Sequence, residues 1–339
     1  MDKLFDLLSL GEIMLRLTAP KDERLVRGAV LDRQAGGAEL NVVAGASLLG
    51  LKTGIITKLP DNDIGKYIKN CIQTYGVSTD FLVYDSEPDA RLGVYYYEFG
   101  ASPRKPKVIY DRLNSSATKL KLSDIPEELY SNTRCFHTSG INLALSAELR
   151  QTVMELIKRF KEGGALISFD VNYRANLWSG EEARETIEKI LPYVDYFFCS
   201  EDTARLTFHK TGDIRDIMKS FADEYSMSVI ASTKRIVHSP VLHTFDSLVY
   251  DINTDIFYEE EPYSDIDVID RLGSGDAYLA GALYGLLSEN GSCEKAMRFG
   301  NAASATKNTT MGDLPTSDLK ELEHIIKCHY SDSQLEMER

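Results

Sequence analysis

Short apolar runs alternate with amphipathic stretches through most of this chain, and that rhythm limits its fold more than any single residue does. A buried strand, a crossover helix and another buried strand form a mainly parallel sheet with helices on its faces. Leu4 to Leu10 reads as the first strand, Glu39 to Leu49 as a helix stopped at Gly50, and Thr53 to Thr57 as the next strand. Asp63 to Tyr75 is a helix ending at Gly76. Cys135 to Ser139, Leu166 to Val171 and Tyr196 to Cys199 are short buried strands, separated by helices Ala147 to Lys161 and Glu181 to Ile190. Strands Ser228 to Ala231 and Ser247 to Tyr250 follow, then helices Ala277 to Ser288, Cys293 to Thr309 and Leu319 to Cys328.

Two regions break the rhythm. Gly93 to Phe99 and Val108 to Tyr110 are rich in β-branched and aromatic residues, and only the polar turn Ala101 to Lys107 joins them. They read as an antiparallel lid, to which Arg16 to Arg33 adds strands. The organisation expected is one α/β domain over 1–329, with a lid from about 12–35 and 88–113, then a polar tail at 330–339.

The 339 residues carry 38 basic and 52 acidic side chains, a formal charge of −14, which repels nucleic acid and anionic membranes. An anionic small ligand would need its own cluster of Arg, Lys or backbone N–H groups. Five scattered cysteines without a C-x-x-C pair indicate neither a disulfide framework nor a zinc site. No apolar run is long enough to span a bilayer, and the expected location is the cytoplasm.

The strongest local signal is Asp270-Arg271-Leu272-Gly273-Ser274-Gly275-Asp276, followed by the small, apolar helix AYLAGALYGLL. Glycines at 273 and 275 permit positive φ and close approach of a ligand to the backbone. Free N–H groups at the helix start then form an anion site, with Asp276 in the first turn beside it. Simple helix capping by Ser274 and Asp276 explains the same seven residues equally well. The pattern is neither a P-loop nor a dinucleotide fingerprint, and Gly11-Glu12-Ile13-Met14 after the first strand also argues against a dinucleotide enzyme.

DRLGSGDAYLAG resembles the C-terminal signature of the ribokinase/PfkB carbohydrate kinases, and Ala35 to Gly50 (AGGAELNVVAGASLLG) resembles their N-terminal signature. Thr57 to Ile68 is similar to a third family segment. The resemblance implies a ribokinase-like three-layer sandwich with a small β-sheet lid, phosphoryl transfer from ATP with Mg²⁺, and a homodimer or higher oligomer formed through the lid. It makes Asp276 the base for the sugar hydroxyl and Gly273, Ser274 and Gly275 the anion hole. On the nucleotide side it points to Ser200, Thr233, Lys234, Arg235 and Asn301. The family's N-x-x-E segment, which organises Mg²⁺ through water, is replaced here by Ser200-Glu201-Asp202-Thr203, which leaves Glu201 and Asp202 as the carboxylates.

For the sugar, the resemblance implies Gly36, Gly37 and Asn41. Many members that take neutral sugars carry Asp five residues after the glycine that ends strand one; this chain has Arg16 there. The segment DVNYR with Arg174, the lid residues Tyr95, Tyr110 and Arg112, and Gly312-Asp313 resemble the 2-keto-3-deoxygluconate kinase branch. Arg is well shaped for a carboxylate, so the expected substrate is that acid sugar. Fructokinase, ribokinase and 5-dehydro-2-deoxygluconokinase are the alternatives within the family, and a catalytically silent sugar-binding regulator is the alternative outside it. Tyr96 and Tyr97 are expected at lid or subunit contacts, and His137 and Trp178 in the core.

Overall fold

A computed structural model describes residues 3–331. Strand β1 (Phe5–Leu10) leads into β2 (Met14–Thr18) and β3 (Asp32–Gly36) of the lid, and the chain returns through α1 (Ala38–Leu48), β4 (Thr53–Pro60), α2 (Asp63–Thr74) and β5 (Leu82–Asp85). A second excursion, β6 (Gly93–Glu98) and β7 (Lys107–Asp111), completes the lid. Next come α3 (Glu128–Asn132), β8 (Thr133–Ser139), α4 (Gly140–Leu145), α5 (Ala147–Glu162), β9 (Leu166–Asp170), α6 (Gly180–Ile187), β10 (Tyr196–Phe198), α7 (Glu201–Phe208) and α8 (Ile214–Glu224). The last third holds β11 (Val229–Ser239), β12 (Leu242–Asp251), β13 (Ile256–Tyr258), β14 (Tyr263–Asp267), α9 (Ser274–Leu287), α10 (Cys293–Asn308) and α11 (Leu319–His329). Most of the expected polar tail lies outside the described residues.

The main sheet runs in the order β13-β12-β11-β10-β9-β8-β1-β4-β5, with β14 also paired to β12. It is parallel from β11 to β5 and antiparallel beyond β11. The two short strands expected around 228–231 and 247–250 are instead one long hairpin, because Val229 to Val237 pairs continuously with His243 to Asp251. The outer part of β11, from Lys234 to His238, is exposed, and the matching part of β12 mixes polar and apolar residues, so neither carries the apolar run of a buried strand. The lid is a separate sheet, β3-β2-β6-β7.

Side chains alternate along β10 between two cores. Tyr196 and Phe198 face α1, α2, α9 and α10; Phe197 and Cys199 face α5, α6, α7 and α8. His137 and Trp178 are buried, as expected. Chain order along the sheet reverses where β1 meets β8, and ligands of such sheets bind outside the carboxyl ends of the strands at that point. Glu12, Asn142 and Ser200 lie just past those ends, and Asp170 closes β9.

Phe136 is fully buried and stacks on Phe160 with ring centroids 4.2 Å apart. Phe136→Ala is expected to lower the unfolding free energy by about 3–5 kcal/mol in a urea titration followed by circular dichroism. A loss under about 1 kcal/mol would contradict this account of the second core.

Candidate active site

Helix α9 begins abruptly because Gly273 adopts φ 77° and turns the chain. A Cβ at that residue would lie 1.9 Å from the carbonyl oxygen of Asp313, so the turn and the loop after α10 fit together only through glycine. The amides of Gly275 and Asp276 donate to no backbone carbonyl, and a Cβ at Gly275 would meet nothing within 4 Å. Among the described residues these two donors are thus left without a carbonyl at the positive end of a 14-residue helix. Ser274 does not cap this helix; it is buried, and its Oγ accepts from Arg235 Nη2 at 2.8 Å.

Two clefts flank the start of α9, with Gly275 lining the first and Asp276 the second. One is lined by Asp170, Asn172, Arg174, Ser200, Thr233 and Gly275, among others; the second by Gly37, Asn41, Tyr95, Tyr110, Arg112 and Asp313, and Arg174 borders both. Asn41 Nδ2 donates to Asp276 Oδ2 at 2.6 Å and so aims the carboxylate. Burial, and secondarily Asp313, push the Asp276 pKa up to about 6, against the opposing pull of Asn41 and Arg174. Two more acids share this crowding. Burial raises Glu39 to about 7 and Asp170 to about 7, and each feels the charge of Asp276. Glu39 accepts from Asn142 Nδ2 at 2.7 Å.

The second cleft is bounded by the lid. Tyr95 donates its hydroxyl to Asp313, which also accepts from Arg16 Nη1 at 2.5 Å. Gly36 lies so close that a Cβ there would sit 2.5 Å from the Tyr95 hydroxyl. Arg112 is not the free cation expected, because its Nε donates to Glu12 at 2.7 Å and its Nη2 to the same oxygen, while Ser115 holds the other. Arg174, by contrast, forms no ion pair among the described residues and bonds only backbone carbonyls, that of Tyr173 at 3.1 Å.

Four expected residues sit elsewhere. Lys234 is exposed on β11, opposite Asp246. Asn301 is buried and donates to Glu260 at 2.7 Å. Glu201 is bound by Arg205 one turn along α7, at 2.5 Å, and Asp202 is exposed beside it. Tyr97 lies in the lid, as expected, on β6; it is buried, and its ring lies under the Arg16 guanidinium, 4.6 Å away. Sequence reasoning missed Glu12, Glu39 and Asp170. Their signal was weak: acids are seldom fully buried unless paired, and all three stand in apolar or glycine-rich surroundings in the sequence.

The pfkB family carbohydrate kinase profile matches residues 5–318. This chain belongs to that family. A 2-dehydro-3-deoxygalactonokinase of Haloferax volcanii is 33% identical over 322 residues, covering 95% of this chain and 96% of the relative. The crystal structure of a 2-dehydro-3-deoxygluconokinase of Thermotoga maritima superimposes with a TM-score of 0.90 at 30% identity, covering 95% of this chain and 99% of that one. A ribokinase-type E. coli protein solved with ATP and Mg²⁺ shares the fold, with a TM-score of 0.82 at 20% identity over 97% of this chain and all of the other. The chain is therefore a carbohydrate kinase with the ribokinase-like architecture, and no helix of its described residues is long and apolar enough to cross a membrane.

Because Glu39 binds its proton more tightly folded than unfolded, its contribution to stability is present at acid pH and is lost as pH rises through about 7. Glu39→Gln is expected to flatten the dependence of the melting temperature on pH between 4.5 and 8, and to melt above the wild type at pH 8. Parallel melting curves for the two proteins would contradict the burial of an ionisable acid here.

Proposed function

We propose that the protein phosphorylates the 6-hydroxyl of 2-dehydro-3-deoxy-D-gluconate with ATP, Asp276 accepting the hydroxyl proton. The observation that carries this reading is the placement of the α9 start between two clefts that share Arg174, with Gly275 lining one and Asp276 the other. In the transfer, the sugar oxygen forms a bond to the γ-phosphorus, the bond from that phosphorus to the ADP oxygen breaks, and the proton goes to Asp276. The Gly275 and Asp276 amides, with Arg235 held against Ser274, receive the charge of the migrating group. A carboxylate with a pKa near 6 is a stronger base than an ordinary Asp yet is still ionised at neutral pH.

Substrate choice rests on charge. Arg174 is the uncommitted guanidinium at the sugar cleft, and a ligand carboxylate supplies the partner it lacks. Arg112, fixed by Glu12, offers its remaining N–H donors in a set direction; Tyr95, Tyr110, Gly37 and Asn41 bound the rest of the cleft, with Gly36 packed behind Tyr95 and Asp313. The Haloferax relative supports a second reading, the galactonate epimer, which differs only at C4.

Mg²⁺ fits this site without a protein cage. No group of three ligating side chains occurs among the described residues, and Mg²⁺ bound to ATP needs only one or two carboxylates besides phosphate and water. Asp170 is the carboxylate in the nucleotide cleft, while Glu201 is tied to Arg205; Asp170 would hold the ion, which neutralises phosphate charge. Thr233 and Ser200 line the same cleft and would meet the nucleotide. We assign the protein to ATP and a small acid sugar as ligands, and to lid-mediated self-association, which sedimentation velocity would test.

A coupled ADP-release assay over both epimers, fructose, ribose and 5-dehydro-2-deoxygluconate tests the substrate. The deoxy acids are expected to give the highest kcat/KM, with an acid limb near pH 6 below which activity falls as Asp276 protonates. Asp276→Asn is expected to reduce kcat at least about 100-fold while sugar binding survives. Arg174→Ala should raise the KM for the acid sugar by about 10- to 100-fold and leave that for ATP unchanged. Faster turnover of fructose or ribose would contradict the acid-sugar reading, and no turnover of any sugar would favour a silent regulator.

A further inference from the structure

Arg16 is the largest fully buried side chain, with none of its surface exposed. A guanidinium with no exposed surface is spent inside the fold, and two of its three nitrogens bond acids that belong to the glycine turn and to the second cleft. Its Nε donates to Thr18 at 2.7 Å, its Nη1 to Asp313 at 2.5 Å and its Nη2 to Asp270 at 2.5 Å, and it lies against the Tyr97 ring.

The two acids belong to different halves of the site. Asp270 opens the glycine turn: its Oδ1 accepts from the Leu272 amide at 3.1 Å, and its Oδ2 accepts from the Gly312 amide at 3.2 Å. Lys307, also buried, holds the Asp270 carbonyl at 3.2 Å. Asp313 lines the sugar cleft and takes the Tyr95 hydroxyl from the lid. With one bond from Arg16 and one from Tyr95, a carboxylate that can accept about four retains acceptor sites for a ligand hydroxyl. Strand β2, the glycine turn and the loop at 312–313 thus close into one ring of buried charge.

We propose that Arg16 is a positioning residue, setting Asp313 against the sugar and the 270–276 turn against the phosphoryl group in a single register. The proposal rests on the carbohydrate kinase reading of the two clefts. A planar fork is needed to reach two carboxylates at once; a lysine ammonium reaches one well and the other poorly.

Arg16→Lys keeps the buried charge and removes the fork, so it separates positioning from folding; Arg16→Met, which strands two acids, serves as the variant that removes both. The first readout is hydrogen exchange on the apo protein. In Arg16→Lys the amides of Leu272 and Gly312 are expected to exchange at least ten times faster, with β1, β8 and β9 unchanged. The second is steady-state kinetics on the best sugar of the panel. There the KM for sugar is expected to rise at least ten-fold and kcat to fall, with the KM for ATP within two-fold. Unchanged exchange at both amides in a folded Arg16→Lys, or faster exchange throughout the sheet, overturns the proposal. So do sugar KM and kcat within two-fold of wild type. The exchange measurement needs no substrate, so its outcome stands even if the acid-sugar assignment fails.

Discussion

Nothing larger than glycine can stand at residue 273, because the Asp313 carbonyl occupies the space where a side chain would begin. That contact fixes how the start of α9 lies against the loop after α10. From it follow the left-handed turn, the two amides left without carbonyls, and the approach of Asp276 to Asn41 on α1. The extensive packing of α9 on α10 and α1 then makes the helix rigid, so its dipole and free donors keep one direction.

Around that turn the protein concentrates charge that its overall composition would oppose. Glu39, Asp170, Asp276 and Asp313 crowd together in a chain already 14 charges negative, and burial holds all four above the usual carboxylate range. Arg16 and Arg112 are each bound by acids within the fold, so they shape the site more than they charge it. Arg174 has no ion-pair partner among the described residues and borders both clefts, which is why the proposed acid sugar is placed against it. An excess of raised carboxylates is the signature of a site that awaits positive charge and donated protons from its ligands.

Much of the fold was legible. Buried parallel strands read as apolar runs, and Gly50 and Gly76 mark the ends of α1 and α2. The lid announced itself through Tyr95 to Phe99 and through the strands expected within Arg16 to Arg33, but those strands lie at the edges of that segment, as Met14–Thr18 and Asp32–Gly36, and pair with each other across it. The β11–β12 hairpin was only half legible, because the outer part of β11 is exposed. At the site, motif spacing located Asp276, Asn41, Arg174 and the glycines, whose surroundings fit chemistry. It could not show that Arg112 is claimed by Glu12, 100 residues away, or that Arg16 joins acids 254 and 297 residues distant. Lys234, Glu201 and Asn301 show the converse: a side chain can occupy the matching place in the sequence and still turn to a local partner.

The central claim is that the α9 amides and the Asp276 carboxylate act on the same transferring group. A crystal structure with ADP, aluminium fluoride, Mg²⁺ and 2-dehydro-3-deoxy-D-gluconate tests it most directly. The account predicts that the fluoroaluminate accepts hydrogen bonds from the Gly275 and Asp276 amides, with the sugar O6 in line and within hydrogen-bonding reach of the Asp276 carboxylate. A nucleotide whose terminal group binds away from residues 273–276, or a sugar presenting a different hydroxyl there, would contradict it.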